Sequence, residues 1–181
     1  AAVHAAIDTT YGAYRELAAG LAVPAYAWPI AALTWTRVTA GEAGHRAQLY
    51  CLGDCKTLVR HAVGGVVDLD PFINPQEGVL RAEIARLHAE GIVDGVARHA
   101  RLLPILRARR EFQNTAEGPG ALCLRPNGAF QARTVDADLA PGAVLLGMTD
   151  GFYRLVDTYA LYTPDSLAAL CIEHGLQPAL D

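Results

Sequence analysis

The sequence predicts an α+β fold with antiparallel β-sheets. Three observations lead to this class: apolar residues recur at helical spacing in several stretches, short strand-like stretches are joined by tight turns, and the two kinds of stretch fall in separate runs. A length of 181 residues suits one domain, or one domain with parts missing. With 52% hydrophobic and 19% charged residues, the chain has enough apolar surface to bury a core. We therefore expect residues 1–181 to form a single domain.

The first half of the chain is predicted to form one helix and then a meander of short strands. The helix covers residues 1–22 and ends before Pro24. Its expected buried stripe consists of Ala2, Ile7, Tyr14, Leu17 and Leu21. Strands are expected over residues 31–38, 47–52 and 56–61, with turns at 39–45, 53–54 and 64–65.

Four side chains in this half are expected to be inside. Trp28 and Trp35 are assigned to the core, and alternation places Leu33, Trp35 and Arg37 on one face of the first strand. Cys51 and Cys55 are placed on one face of a strand, as core residues. Their spacing is not the C-x-x-C of zinc or redox sites, which argues against a metal or redox role.

The middle of the chain predicts a loop, two helices and a hairpin. The loop covers residues 68–78, and Gly91, Gly95 and Pro104 divide the helical pattern of residues 79–106. After a loop at 114–120, a hairpin is expected to join residues 121–124 and 129–135 through the turn sequence Pro126-Asn127-Gly128.

The last part of the chain predicts a strand and two helices. A turn at 139–142 precedes an apolar strand over 143–148, and a helix follows over 152–160. Thr163 is the expected N-cap of the final helix, with Pro164 in its first position and Gly175 at its end.

Composition narrows the function classes. The net charge is -4 and no basic stripe stands out, so we expect neither a nucleic-acid partner nor a membrane partner. No apolar run approaches the roughly 20 residues that a bilayer span needs, and no signal peptide is recognisable. Four cysteines are too few for a disulfide scaffold in a chain of this size. A cytoplasmic location is therefore the expectation.

Two aspartates are the candidate metal ligands. Asp54 follows an apolar strand within a glycine turn, and Asp150 follows the most hydrophobic strand of the chain. A carboxylate at the end of a buried strand is costly unless something pairs with it. Mg²⁺ and Mn²⁺ prefer carboxylate and water oxygens, and the adjacent Gly53 and Gly151 would let backbone approach an ion closely. The alternative is plain turn chemistry, because Asp next to Gly is common in turns.

Two segments resemble, in order, signature segments of the metal-dependent protein phosphatases of the 2C family, of bacterial type. In LYCLGDCKTLV, residues 49–59, this chain has Gly53-Asp54-Cys55 where the family has Gly-Asp-Ser. In GAVLLGMTDGFYRLVD, residues 142–157, an apolar strand leads into Thr-Asp-Gly and then a helix, as in the family. The turn at 139–142 is similar to the family's L-x-x-G-D approach, with Ala143 where Asp is frequent. The similarity extends over about residues 28–165.

This resemblance implies a sandwich of two antiparallel sheets flanked by helices, and a Ser/Thr protein phosphatase that uses two or three Mn²⁺ or Mg²⁺ ions. In the family such ions activate a bridging water as the nucleophile. Asp150 matches a ligand of the paired metals, and Asp54 matches a residue near an additional, weaker metal. Separately, Arg110 is a candidate for holding the substrate phosphate, with a solvated helix end as the alternative. The implied partner is a phosphorylated protein.

The chain also departs from the family pattern. The family's first metal-binding Asp-Gly, its last metal-binding Asp and an N-terminal phosphate-binding Arg are unmatched, and Asp94-Gly95 falls inside a helical pattern. We expect the chain to lack the first and last strands, either as part of a longer enzyme, which we favour, or as a naturally reduced member. Function then has three candidates: the phosphatase, an inactive phosphatase-like binding module, or an unrelated α+β domain. A serine nucleophile is not expected, because Ser166 is the only serine and lies in a first helical turn.

Overall fold

The protein has a mixed α+β fold, as the sequence predicts, with helices flanking small antiparallel sheets. The computed structural model describes residues 2–41 and 44–179, and within them five α-helices: α1 (Ala2–Leu17), α2 (Pro75–Ala89), α3 (Gly95–Thr115), α4 (Asp150–Asp157) and α5 (Pro164–His174). The strands are β1 (Ile30–Ala31), β2 (Leu33–Gly41), β3 (Gly44–Leu52), β4 (Lys56–Arg60), β5 (Val66–Asp68), β6 (Leu122–Cys123), β7 (Arg133–Leu139) and β8 (Val144–Met148). Short 3₁₀ turns occupy Ala25–Ala27 and Gln177–Ala179.

The chain divides into two compact units, and the prediction of a single domain over residues 1–181 remains a prediction. The first unit comprises Ala1–Ala31 and Ile73–Gln131, and the second comprises Ala32–Phe72 and Ala132–Asp181. In the described part of the chain, no helix has both the length and the apolar character needed to cross a membrane.

The second unit contains two three-stranded antiparallel sheets, in the orders β2-β3-β7 and β5-β4-β8. A buried cluster joins them, with Ala47, Leu49 and Cys51 of β3 packed together with Val59 of β4 and Leu139 of β7. Helix α5 contacts β4 and β5, and its apolar side chains form a second cluster with residues of β8 and α4. The unit therefore has two apolar layers, one joining its sheets and one between β8 and its helices.

The first unit combines α1, α2 and α3 with the short β1–β6 pair. Helix α3 packs against the 25–27 turn, β1 and α2. The two-helix prediction for this region is confirmed, because the chain breaks at Gly91 and restarts where the Asp94 side chain accepts a hydrogen bond from Ala97 N. Asp94-Gly95 thus lies at a helix start rather than inside a helix, and Pro104 is accommodated within α3.

The hairpin predicted around Pro126-Asn127-Gly128 is wrong. Gly128 does adopt a turn conformation with φ +90°, but β6 pairs with β1 and β7 pairs with β3. The two strands beside the turn therefore belong to different sheets. Residues Val135, Ala137 and Leu139 of β7 lie opposite Leu49, Ala47 and His45, so its apolar face extends the core of the β2-β3 pair. Strand pairing with a distant partner overrides the local turn signal.

Several predicted burial assignments are also wrong. The first helix ends at Leu17 rather than at residue 22, and Leu17 and Leu21 are 85% and 69% exposed, although Ile7 is buried. Trp35 is 52% exposed because it lies opposite Tyr50, on the face of its sheet that points away from the buried cluster. Trp28 is only partly buried. The side chain of Ala2 and the centre of the 39–45 turn lie outside the described residues.

The two cysteines do not share a strand, which corrects another expectation. Cys51 is buried in β3, whereas Cys55 is half-buried in the turn that leads to β4. Strand β3 begins three residues earlier than predicted, β5 was not predicted, and α2 and α3 extend into the expected loops at 68–78 and 114–120. The cap of α5 is confirmed, with Thr163 and Ser166 forming a reciprocal capping box and Gly175 at φ +82°.

Candidate metal centre

The structure brings Asp54 and Asp150 together within the second unit. Strands β4 and β8 are antiparallel neighbours, and Lys56 lies opposite Met148. Continuing that register by two residues places Asp54, in the turn before β4, opposite Asp150, the first residue of α4. Each aspartate has a carboxylate oxygen within 4.8 Å of that of the other. Two residues that are 96 positions apart thus form a half-buried carboxylate pair.

The turn that carries Asp54 requires glycine at position 53. Gly53 has φ +79°, a conformation that residues with a Cβ rarely adopt. An ideal Cβ at this position would lie 2.7 Å from the Cβ of Ala32 and 2.9 Å from its Cα, closer than atoms can approach. The backbone of this turn is therefore tightly packed against the residue before β2, which fixes the start of the Asp54 segment.

Asp150 is held by the start of a helix. Thr149 is the N-cap of α4, and its hydroxyl accepts a hydrogen bond from Phe152 N at 3.3 Å. Arg154, one turn later, lies 3.8 Å from the Asp150 carboxylate, and both side chains are about half exposed, so this ion pair is weak. Gly151 has an ordinary backbone conformation and room for a Cβ, so steric need does not explain it.

The electrostatic field of the pair is visible at its neighbour Cys55. Burial raises the pKa of the Cys55 thiol, and the negative charges of Asp54 and Asp150 raise it further. The thiol is therefore held in its neutral form. The same field that disfavours a thiolate favours a cation.

The donor set fits a hard divalent cation. Mg²⁺ is commonly held by one or two carboxylates, with waters and substrate phosphate completing an octahedron. Oxygens that bind one such ion at about 2.1 Å lie roughly 3–4 Å apart, so the Asp54 and Asp150 oxygens need little movement to share an ion. Asp54 and Asp150 would hold it, while Gly53 and Gly151 supply neighbouring backbone.

A buried ion network supports the Asp54 turn, and the sequence analysis missed it. Arg133 donates from Nε and Nη2 to the two carboxylate oxygens of Asp70, at 2.9 and 2.6 Å, and from Nη2 to the Gly53 carbonyl at 2.7 Å. The Asp70 side chain is only 5% exposed. Burial alone would raise the pKa of Asp70, but the hydrogen bonds and charge of Arg133, together with smaller contributions from Cys51 and Lys56, lower it overall. The sequence carries no local signal for Arg133 or Asp70; the unusual residue beside the network is Lys56, the only lysine of the chain, whose ammonium group donates to the Asp68 carboxylate at 2.9 Å.

Arg110, the candidate phosphate ligand, belongs to the first unit. Its guanidinium donates to the backbone carbonyls of Tyr26 at 2.9 Å and Trp28 at 3.1 Å. Asn114, one turn later in α3, donates to the carbonyls of Ala25 and Trp28. These bonds give Arg110 a structural role that joins α3 to the 25–27 turn, and its role as a phosphate ligand stays a prediction.

Comparison with known proteins gives no support for any family: no family model, no curated protein and no solved structure matches the chain. The phosphatase 2C resemblance consequently remains a prediction that is based on the two sequence segments alone.

Proposed function

We propose that this protein is a Mn²⁺- or Mg²⁺-dependent phosphomonoester hydrolase of the phosphatase 2C type, acting on phosphoserine or phosphothreonine in proteins. The observation that carries the proposal is the convergence of Asp54 and Asp150, whose carboxylate oxygens lie within 4.8 Å of each other. The sequence marks each residue as a candidate ligand independently of this proximity, because each follows an apolar strand beside a glycine. Convergence of two residues from separate motifs is a stronger argument for a metal centre than either Asp-containing turn alone.

Each residue of the centre has a distinct task in this proposal. Asp150 and Asp54 would hold the cation, and the tightly packed Gly53 turn keeps Asp54 in place. When bound, the cation supplies a lowered pKa for a coordinated water and polarisation of a phosphate oxygen. Cys55 stays protonated because of its raised pKa, so it does not compete as a nucleophile.

The expected setting follows from the same proposal. The substrate is a phosphorylated protein, and the location is cytoplasmic. All four cysteines are free thiols, which agrees with a reducing compartment.

The direct test is hydrolysis of para-nitrophenyl phosphate in the presence of Mn²⁺, with and without EDTA. We expect metal-dependent turnover that EDTA removes. Asp150→Asn should abolish turnover with little effect on the fold, and Asp54→Asn should weaken it less and raise the Mn²⁺ concentration required. Asp136→Asn is a matched control, since Asp136 is an exposed carboxylate on β7, paired with Arg46.

Two outcomes would count against the enzyme. Turnover that survives Asp150→Asn would remove the proposed metal centre from the reaction. Mn²⁺ binding without turnover would favour the inactive binding module instead.

A further inference from the structure

Arg133 connects three parts of the second unit that are distant in sequence. It is the first residue of β7, it pairs through both carboxylate oxygens with Asp70, and it donates to the Gly53 carbonyl at 2.7 Å. Its guanidinium also stacks on the Phe72 ring, 3.8 Å from the ring centroid. Two-point pairing with a carboxylate fixes the plane of a guanidinium as well as its position.

The segment on which Arg133 depends is held from its other side by Lys56. The ammonium group of Lys56 donates to the Asp68 carboxylate at 2.9 Å and to the Phe72 carbonyl at 3.2 Å. Asp70 N in turn donates to the Asp68 carboxylate at 3.0 Å. Two cations, Arg133 and Lys56, therefore hold residues 68–72, which limits how far Asp70 could shift to follow a displaced guanidinium.

The contact with Gly53 is the one that concerns the metal centre. The carbonyl of Gly53 belongs to the peptide group whose nitrogen is that of Asp54, so a hydrogen bond to this oxygen sets the orientation of the plane from which Asp54 extends. The positive φ of Gly53 and its packing on Ala32 fix the other side of the same residue. Without Arg133, the Gly53 carbonyl would lose the hydrogen bond from Nη2, so rotation of that peptide plane would be less restricted.

We propose that Arg133 is a positioning residue for the metal centre: oriented by Asp70, it fixes the Gly53–Asp54 peptide so that the Asp54 carboxylate faces Asp150. The metal-binding part of this inference rests on the proposed function, whereas the ordering of the turn does not. Partners that orient a metal ligand without touching the metal commonly change metal affinity about 10- to 100-fold when they are removed.

The test compares Arg133→Lys with Arg46→Lys. Lysine keeps the positive charge but loses the two-point pairing, and Arg46 forms an exposed ion pair with Asp136 on the same sheet as Arg133. Two quantities are measured in the folded proteins: backbone ¹⁵N order parameters of Gly53 and Asp54 without metal, and Mn²⁺ affinity by isothermal titration calorimetry. A purely structural role would lower the unfolding temperature and leave both quantities unchanged.

For Arg133→Lys we expect the order parameters of Gly53 and Asp54 to fall from about 0.85 to below about 0.6. The Mn²⁺ dissociation constant should rise by about tenfold or more, and Arg46→Lys should change neither quantity. Order parameters that stay at the wild-type value in folded Arg133→Lys would overturn the inference.

Two further outcomes are also decisive. If wild-type protein binds no Mn²⁺, the proposed function fails, and the order parameters alone decide the positioning role. If Arg133→Lys does not fold, Asp70→Asn replaces it, because this variant keeps the guanidinium and removes only the carboxylate that orients it. Increased mobility at Gly53 and Asp54 in Asp70→Asn would support the inference, and unchanged mobility would overturn it.

Discussion

Replacing Arg133 with methionine should destabilise the protein far more than a typical surface substitution. The change leaves the Asp70 carboxylate, which is 5% exposed, without its guanidinium partner. Breaking a buried ion pair from one side costs roughly 3–5 kcal/mol. Since the Arg133 side chain is 29% exposed and Lys56 still acts on Asp70, we take the lower end, about 3 kcal/mol. For a chain of this size, that loss corresponds to a fall in Tm of about 6–12 °C.

Thermal unfolding followed by circular dichroism at neutral pH measures this effect. Arg46→Met is the control, since its ion pair with Asp136 is about half exposed on both sides, and it should shift Tm much less. Equal shifts for Arg133→Met and Arg46→Met would refute the argument that burial makes the Arg133–Asp70 pair important. In the Arg133→Met/Asp70→Asn double variant the loss should be smaller than in Arg133→Met, because no carboxylate is then left buried and unpaired.

The Arg133–Asp70 pair also predicts how the free energy of unfolding changes at acidic pH. The pKa of Asp70 is lower in the folded protein than its ordinary value of about 3.9. A carboxyl group with a lowered folded pKa stabilises the fold fully above its ordinary pKa, and this contribution is lost as pH falls through the folded pKa. Urea unfolding between about pH 5 and pH 2 should therefore show a smaller decline for Asp70→Asn than for wild type. A parallel decline in both proteins would mean that protonation of Asp70 contributes nothing to the loss of stability at acidic pH.

Three further predictions concern separate parts of the second unit. Gly53→Ala should lower Tm, because it combines an unfavourable positive φ, worth about 1–2 kcal/mol, with a clash against Ala32; an unchanged Tm would contradict the turn geometry. Iodoacetamide should modify Cys55 faster in Asp54→Asn than in wild type at mildly alkaline pH, because removing one negative charge lowers the raised thiol pKa. Peptide mass spectrometry measures the modification of Cys55. Equal rates in the two proteins would argue against an effect of the Asp54 charge on this thiol. Thr163→Ala should cost about 1 kcal/mol by removing the cap of α5, measured as a Tm shift, and a neutral substitution would show that the capping box is not stabilising.

Local chemistry explains why much of the fold is predictable from the sequence. The cap sequence Thr163-Pro164 and the apolar run of β8 carry their structural information in a few neighbouring residues, and both elements lie where they were expected. The pairing of β6 with β1, and of β7 with β3, does not follow from such signals, because each partner strand lies far away in sequence. The exposure of Trp35 likewise depends on which face of its sheet is covered, which alternation alone does not specify.

The candidate site is likewise only partly predictable from the sequence. Asp54 and Asp150 stand out in the sequence because each follows an apolar strand beside a glycine, but their proximity depends on the pairing of β4 with β8. Arg133 and Asp70 are 63 residues apart, and nothing in their immediate sequence marks either of them as a partner of the Gly53 turn. A network of this kind becomes visible only when the tertiary structure brings its members together.

The proposed function depends most directly on whether Asp54 and Asp150 bind a divalent cation together. Isothermal titration of the metal-free protein with Mn²⁺ measures this without reference to any substrate. We expect saturable binding that weakens by about tenfold or more in both Asp54→Asn and Asp150→Asn, with wild-type affinity retained in Asp136→Asn. No binding by the wild-type protein, or equal affinity in all four proteins, would contradict the proposed metal centre.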